Sequence, residues 1–175
     1  MTYPSPATDP QQPITLTQAG MHRLRGRIAE ARAAYLAICA DNEAASQAGD
    51  SSVWHDNFAY EENQRQMHRL ARRVRDLEDQ LGRVRVVPAC SAVPDKVQLG
   101  ARVTLRYIDE DREATLYIAG FDDGDPKEGR ISYTAPLAAR LMGATLGETR
   151  TLTEGGRRRE VEVVALLPAT GEELP

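Results

Sequence analysis

Two aspartates, Asp50 and Asp56, share the stretch QAGDSSVWHDNFAYEEN, residues 47–63, with Trp54 and His55. No lysine or arginine occurs between Arg32 and Arg65, while Asp41, Glu43, Asp50, Asp56, Glu61 and Glu62 all fall inside that gap. Carboxylates with no cation beside them are not quenched from within the chain, so their charge is open to an outside partner. Taken as residues alone, Asp50 after Gly49 reads first as a turn former at a helix end, and Asp56 as an N-cap for the next helix. His55 reads as a solvated loop residue rather than a base. Trp54 either covers the bare end of a helix pair or meets a partner.

The segments on either side must position that loop, and both carry a helical period. Thr17 is an N-cap for a helix beginning at Gln18. From there Leu24, Ile28, Ala31, Tyr35, Ile38, Asn42 and Ala45 recur in alternating steps of 4 and 3. Beyond the loop Tyr60, Asn63, Met67, Leu70, Val74, Leu77, Leu81 and Val84 do the same. Such steps are the a/d spacing of a coiled-coil seam, and two of them joined by a turn predict an antiparallel hairpin. At ~1.5 Å per residue each arm is roughly 45–50 Å long. Seam residues nearest the turn are small or polar, so packing is expected to be weakest there. Arg65, Arg69, Arg72 and Arg73 fall on one face of the second helix, where arginine rows are commonly solvated and paired at i,i+4. Cys39, beside the seam, reads as a small buried hydrophobe.

The second half changes character at VVPACSAVPDK, where two prolines end the helical period. Five runs with β-branched or aromatic residues come after it, at 101–108, 113–121, 129–135, 149–153 and 159–167. Turn signals DDGDPKEG and EGG separate them, and PLAARLMG is a helical insert between the third and fourth. The fold class is therefore α+β: a helical hairpin, then an antiparallel sheet carrying one short helix. The corresponding division is a disordered tail over 1–13, the hairpin over 14–87, a linker over 88–97, the sheet domain over 98–168 and a tail over 169–175.

Composition excludes several classes. A net charge of −4 argues against wrapping free nucleic acid, although 20 of the 22 basic residues are arginine. Two cysteines without a CxxC or a Cys/His cluster exclude a zinc site or disulfide framework and point to a reducing cytoplasm. No run of ~18 apolar residues is present, so no membrane partner is expected.

From residue 14 onward the plan resembles the bacterial Gre transcription elongation factors, GreA and GreB. ITLTQAGMHRL is similar to the family's opening, and ISYTAPLAARLMG to its Ile-Ser-x-x-Ser-Pro stretch, with Ser132, Pro136, Leu137, Leu141 and Gly143 matching and Ala135 departing. At the hairpin tip Gly49-Asp50, Asp56-Asn57 and Tyr60 match the family's Gly-Asp, Glu-Asn and Tyr. Four residues, Ser51 to Trp54, replace about two there, and the second acid is Asp instead of Glu.

The resemblance implies an FKBP-like fold for the sheet domain and RNA polymerase as partner. It implies that the tip enters the polymerase's secondary channel, where Asp50 and Asp56 help to hold a Mg²⁺ ion of that enzyme during cleavage of backtracked RNA. Trp54, His55, Asn57 and Tyr60 would be tip contacts. Arg65, Arg69, Arg72 and Arg73 would face the 3′ segment of the nascent RNA, and Ser132, Pro136, Leu137 and Leu141 would dock on the channel rim. The protein would be a cytoplasmic monomer with no cofactor and no catalysis of its own. Hard cations take oxygen ligands and keep several waters, so carboxylates on a stiff probe can complete a partly built site. The longer tip with a shorter acid leaves a second outcome open, occupancy that inhibits without cleavage. Two rivals of other classes are a prolyl isomerase built on Tyr107, Tyr117, Phe121 and Tyr133, and a coiled-coil adaptor for another partner.

Overall fold

Thr17 starts the first helix as its side chain predicts: its Oγ1 accepts the Gly20 N–H at 3.1 Å, satisfying one of the orphan donors of a first helical turn. The computed structural model describes residues 13–47 and 57–169, and within them helix α1 covers Gln18–Gln47 and helix α2 covers Asn57–Gly82. Arg32 of α1 pairs with Glu78 of α2 at 2.5 Å, and Asn42 Nδ2 lies 4.0 Å from Met67 Sδ. Partner numbers fall as α1 advances, so the hairpin is antiparallel. The heptad steps locate the seam correctly. Leu24, Ile28 and Leu77 are buried and the seam positions from Ala31 to Asn42 are half-buried, whereas Leu36, one residue off the seam, is 64% exposed.

Two short strands bracket the hairpin, and the sequence reading has no place for them. β1 (Ile14–Thr17) pairs in parallel with β2 (Val84–Val87), Ile14 opposite Val84. Val84 therefore leaves the seam to which its spacing assigned it, because α2 ends at Gly82. The chain forms two units, Leu24–Gly82 and a second that joins residues up to Arg23 with those from Arg83 onward.

In the second unit the five expected strands are β3 (Arg102–Tyr107), β4 (Arg112–Ala119), β5 (Arg130–Ser132), β6 (Thr149–Glu154) and β7 (Arg157–Leu167). They form one sheet in the order β5-β4-β3-β7-β6. The sheet is mixed, not wholly antiparallel: β5 runs parallel to β4, with Tyr117 opposite Arg130. A hairpin turn cannot make that connection. The DDGDPKEG segment carries the chain back instead, through a 3₁₀ turn at Pro126–Glu128. EGG does close a two-residue hairpin, with Gly155 and Gly156 both at positive φ as a type I′ turn requires.

Alternation along β3 buries Val103, Leu105 and Tyr107 on the inner face, opposite Val161, Val163 and Leu166 of β7. A register shift between Thr104 and Leu105 bends the pairing with β7. Helix α3 (Pro136–Leu141) closes this core with Ala138 and Leu141. Residues 88–97 hold no helix or named strand, yet they are tied to the sheet: the Cys90 N–H donates to Gly100 O and the Ala169 N–H to Cys90 O.

Candidate functional site

Asp50, Trp54, His55 and Asp56 lie outside the described residues, so the tip itself has no geometry to report. Asn57 opens α2 and Tyr60 lies in its first turn. Arg65, Arg69, Arg72 and Arg73 are all exposed on α2, as their spacing implies. The row is not uniform. Arg65 is bound to Glu61 at 2.9 Å and Glu62 at 3.5 Å, and Arg69 to Glu62 at 2.9 Å. Hydrogen bonds from Arg69 and then Gln66 hold the Glu62 carboxyl below the usual carboxylate range. The two arginines nearer the tip are thus largely neutralised by their own helix, while Arg72 and Arg73 make no ion pair among the described residues.

The seam between the helices turns polar at Asn42. Its Nδ2 has the sulfur of Met67 as partner, and its buried Oδ1 has none. One turn toward the base, a hydrogen bond with Cys39 pushes the Tyr35 hydroxyl above its ordinary range.

In the sheet unit, the segment after β4 folds over β5 and leaves an open groove of about 350 Å³. Phe121, Gly124, Arg130, Ile131, Ser132 and Thr134 line it. Asp125 accepts the Lys127 N–H at 3.1 Å and pairs with Arg130 at 3.4 Å, which shapes the groove's outer edge. Ser132 Oγ bonds Thr134 Oγ1 at 2.8 Å and accepts the Thr134 N–H at 3.3 Å, steering the chain into α3. Ala135 is the N-cap of that helix and offers no side-chain bond to it. Pro136 comes next, exposed, and Leu137 is half-buried against the core.

Leu141 requires a correction. It is 0% exposed inside the core cluster, so it cannot be a docking residue that a partner touches. The apolar step that placed it beside Leu137 in sequence turns it inward on a helix only 6 residues long. Of the four predicted docking residues, Ser132 lines the groove, with Pro136 and Leu137 next to it in the chain. As groove residues Phe121, Asp122 and Arg130 were missed: Phe121 and Arg130 read only as strand residues flanking the DDGDPKEG turn, and Asp122 only as part of that turn. The four aromatics of the isomerase reading line no common groove: Tyr107, Tyr117 and Tyr133 are buried, and of the four only Phe121 lines the groove.

At the root of α1 lies a second feature that sequence reading missed. Arg23 Nε and Nη2 donate to Asp123 Oδ1 and Oδ2 at 2.7 and 2.6 Å. Nothing in the spacing of residues so far apart announces this pair. Among the described residues no three His, Cys, Asp or Glu side chains group as a metal site, and no helix is long and apolar enough to cross a membrane.

Fold and site together define a two-part protein: a long helical arm, and a small mixed-sheet unit with an open groove. The family described as transcription elongation factor, N-terminal, matches residues 14–86, and that described as transcription elongation factor GreA/GreB, C-terminal, matches residues 92–168. The chain belongs to the GreA/GreB transcription elongation factor family. It is similar to GreA of Brucella canis and GreA of Brucella abortus, 35% identical in each case over 94 residues, which are 54% of this chain and 60% of the relative. The match thus spans 60% of the length of these curated relatives. Among solved structures, GreA factor homolog 1 of Thermus thermophilus superposes with a TM-score of 0.42 at 22% identity, over 89% of this chain and 99% of the other. A GreA/GreB factor from Nitrosomonas europaea gives 0.39 at 18%, over 89% and 98%.

Proposed function

We propose that this chain binds RNA polymerase through the groove side of its sheet unit and inserts its hairpin into the secondary channel to modulate elongation. The observation that carries this reading is the arm: two antiparallel helices on one continuous seam, whose closed end carries acids and no lysine or arginine. α1 alone has 30 residues, about 45 Å at ~1.5 Å per residue, long and narrow enough to reach into a channel. The magnesium that the polymerase would bring supplies Lewis-acid stabilisation of phosphodiester cleavage. This chain's own part is to present the oxygens of Asp50 and Asp56, while Arg72 and Arg73 offer charge to a phosphate backbone.

Occupancy without cleavage is a second reading with its own support in the tip. The loop from Ser51 to Trp54 is longer than the family's, and Asp56 is one methylene shorter than Glu. Ligand placement tolerates only about 0.5 Å of error, so such a tip can fill the channel and still miss the metal. Binding to purified polymerase core, in competition with an established secondary-channel factor, tests what both readings share. Mutually exclusive binding is the expected result. Absence of binding, or simultaneous binding of the two factors, rejects both.

A further inference from the structure

We propose that Asp123 and Arg23 are positioning residues, forming the joint that couples occupancy of the groove to the root of helix α1. The inference rests on the reading that the groove side docks on polymerase. The pair is a bidentate fork, and the Asp123 side chain is 5% exposed against 27% for Arg23. Two parallel charge-assisted bonds fix orientation as well as distance, so neither partner can turn without losing one of them.

Gly20 permits the close approach. A Cβ there would stand 2.9 Å from Asp123 Oδ2. The Phe121 N–H also donates to Thr15 O at 3.0 Å, so β1 and the first turn of α1 are held by the same short segment. That segment serves two surfaces through adjacent residues. Phe121, Asp122 and Gly124 line the groove, while Asp123 between them points away and grips Arg23. Asp122 sits at φ 51°, a left-handed turn conformation that aspartate tolerates better than most non-glycine residues. A ligand pressing on Phe121 or Asp122 therefore acts one residue from the carboxylate that holds α1. From Arg23 onward α1 runs without a break to Gln47.

The test uses the full chain with Asp123→Asn, Arg23→Gln and Arg23→Lys. Each is assayed for affinity to polymerase core and for its effect on a defined backtracked elongation complex. Affinity is expected to stay at the wild-type level in all three. The effect on the complex is expected to fall roughly 10- to 100-fold in Asp123→Asn and Arg23→Gln, the range in which small misplacements act on catalysis. Arg23→Lys, which keeps one charged bond, recovers most of it. Affinity and effect falling together would mean a structural role only and overturn the joint, as would variants indistinguishable from wild type. If a single variant fails to fold by circular dichroism, Arg23→Met with Asp123→Asn replaces it, since the double change leaves no buried charge unpaired. Wild type that does not bind polymerase overturns the functional reading as well, whereas binding with silent variants overturns only the joint.

Discussion

Leu137 and Leu141 stand four residues apart with the same side chain, and their environments assign them opposite roles. Leu141 is fully buried in the core cluster it shares with the sheet, whereas Leu137 is half-buried at its margin. Truncating a fully buried leucine leaves a cavity, so Leu141→Ala is expected to cost about 2–5 kcal/mol. Leu137→Ala is expected to cost about 1 kcal/mol or less. Urea denaturation of the two variants checks this, and equal costs would contradict the assignment. Any loss of partner binding in Leu141→Ala should then track its unfolding, while Leu137→Ala can weaken binding with the fold intact. Sequence grouped Ser132, Pro136 and Leu137 together, because a motif fixes neighbours in the chain. It could not separate Leu137 from Leu141, since burial on a two-turn helix depends on which face meets the sheet.

Helices α1 and α2 were the most legible elements, because a seam repeated over many turns averages out single exceptions. Thr17, the antiparallel hairpin and the half-buried steps from Ala31 to Asn42 are all consequences of spacing. β1 and β2 were not legible: four residues each, they pair across the whole hairpin, and a short apolar run carries no sign of a partner some seventy positions away. β5 was read as a strand but with the wrong direction, since direction is decided by the path of its loop. Asn42 is a costly position among the described seam residues. Its buried Oδ1 lacks a partner, and such a group costs about 1–3 kcal/mol. A polar seam residue fixes register at that expense. Asn42→Leu is therefore expected to stabilise the hairpin by about 1 kcal/mol and to slow amide hydrogen exchange across Tyr35–Glu43. Faster exchange in Asn42→Leu would show that the amide is satisfied and that Asn42 strengthens the arm.

At the scale of the whole molecule, the proposed function assigns docking to the sheet unit and reach to the arm. The sheet unit holds the larger core, the groove and the Arg23–Asp123 pair; the arm holds a thin seam, an arginine row and the acids at its end. Under that proposal affinity resides in one part and consequence in the other. Asp50 and Asp56 should accordingly add little to binding and determine its effect on transcription. The most direct measurement compares wild type with Asp50→Asn and Asp56→Asn on a defined backtracked elongation complex, monitoring transcript cleavage and resumed elongation at saturating protein. Asparagine keeps volume and most hydrogen bonding while removing the charge that a hard cation requires. Both variants are expected to bind as wild type does and to lose its effect, whether that effect is cleavage or a block to elongation. Variants that bind and act as wild type does would reduce both aspartates to turn and cap residues and contradict the proposed role of the tip.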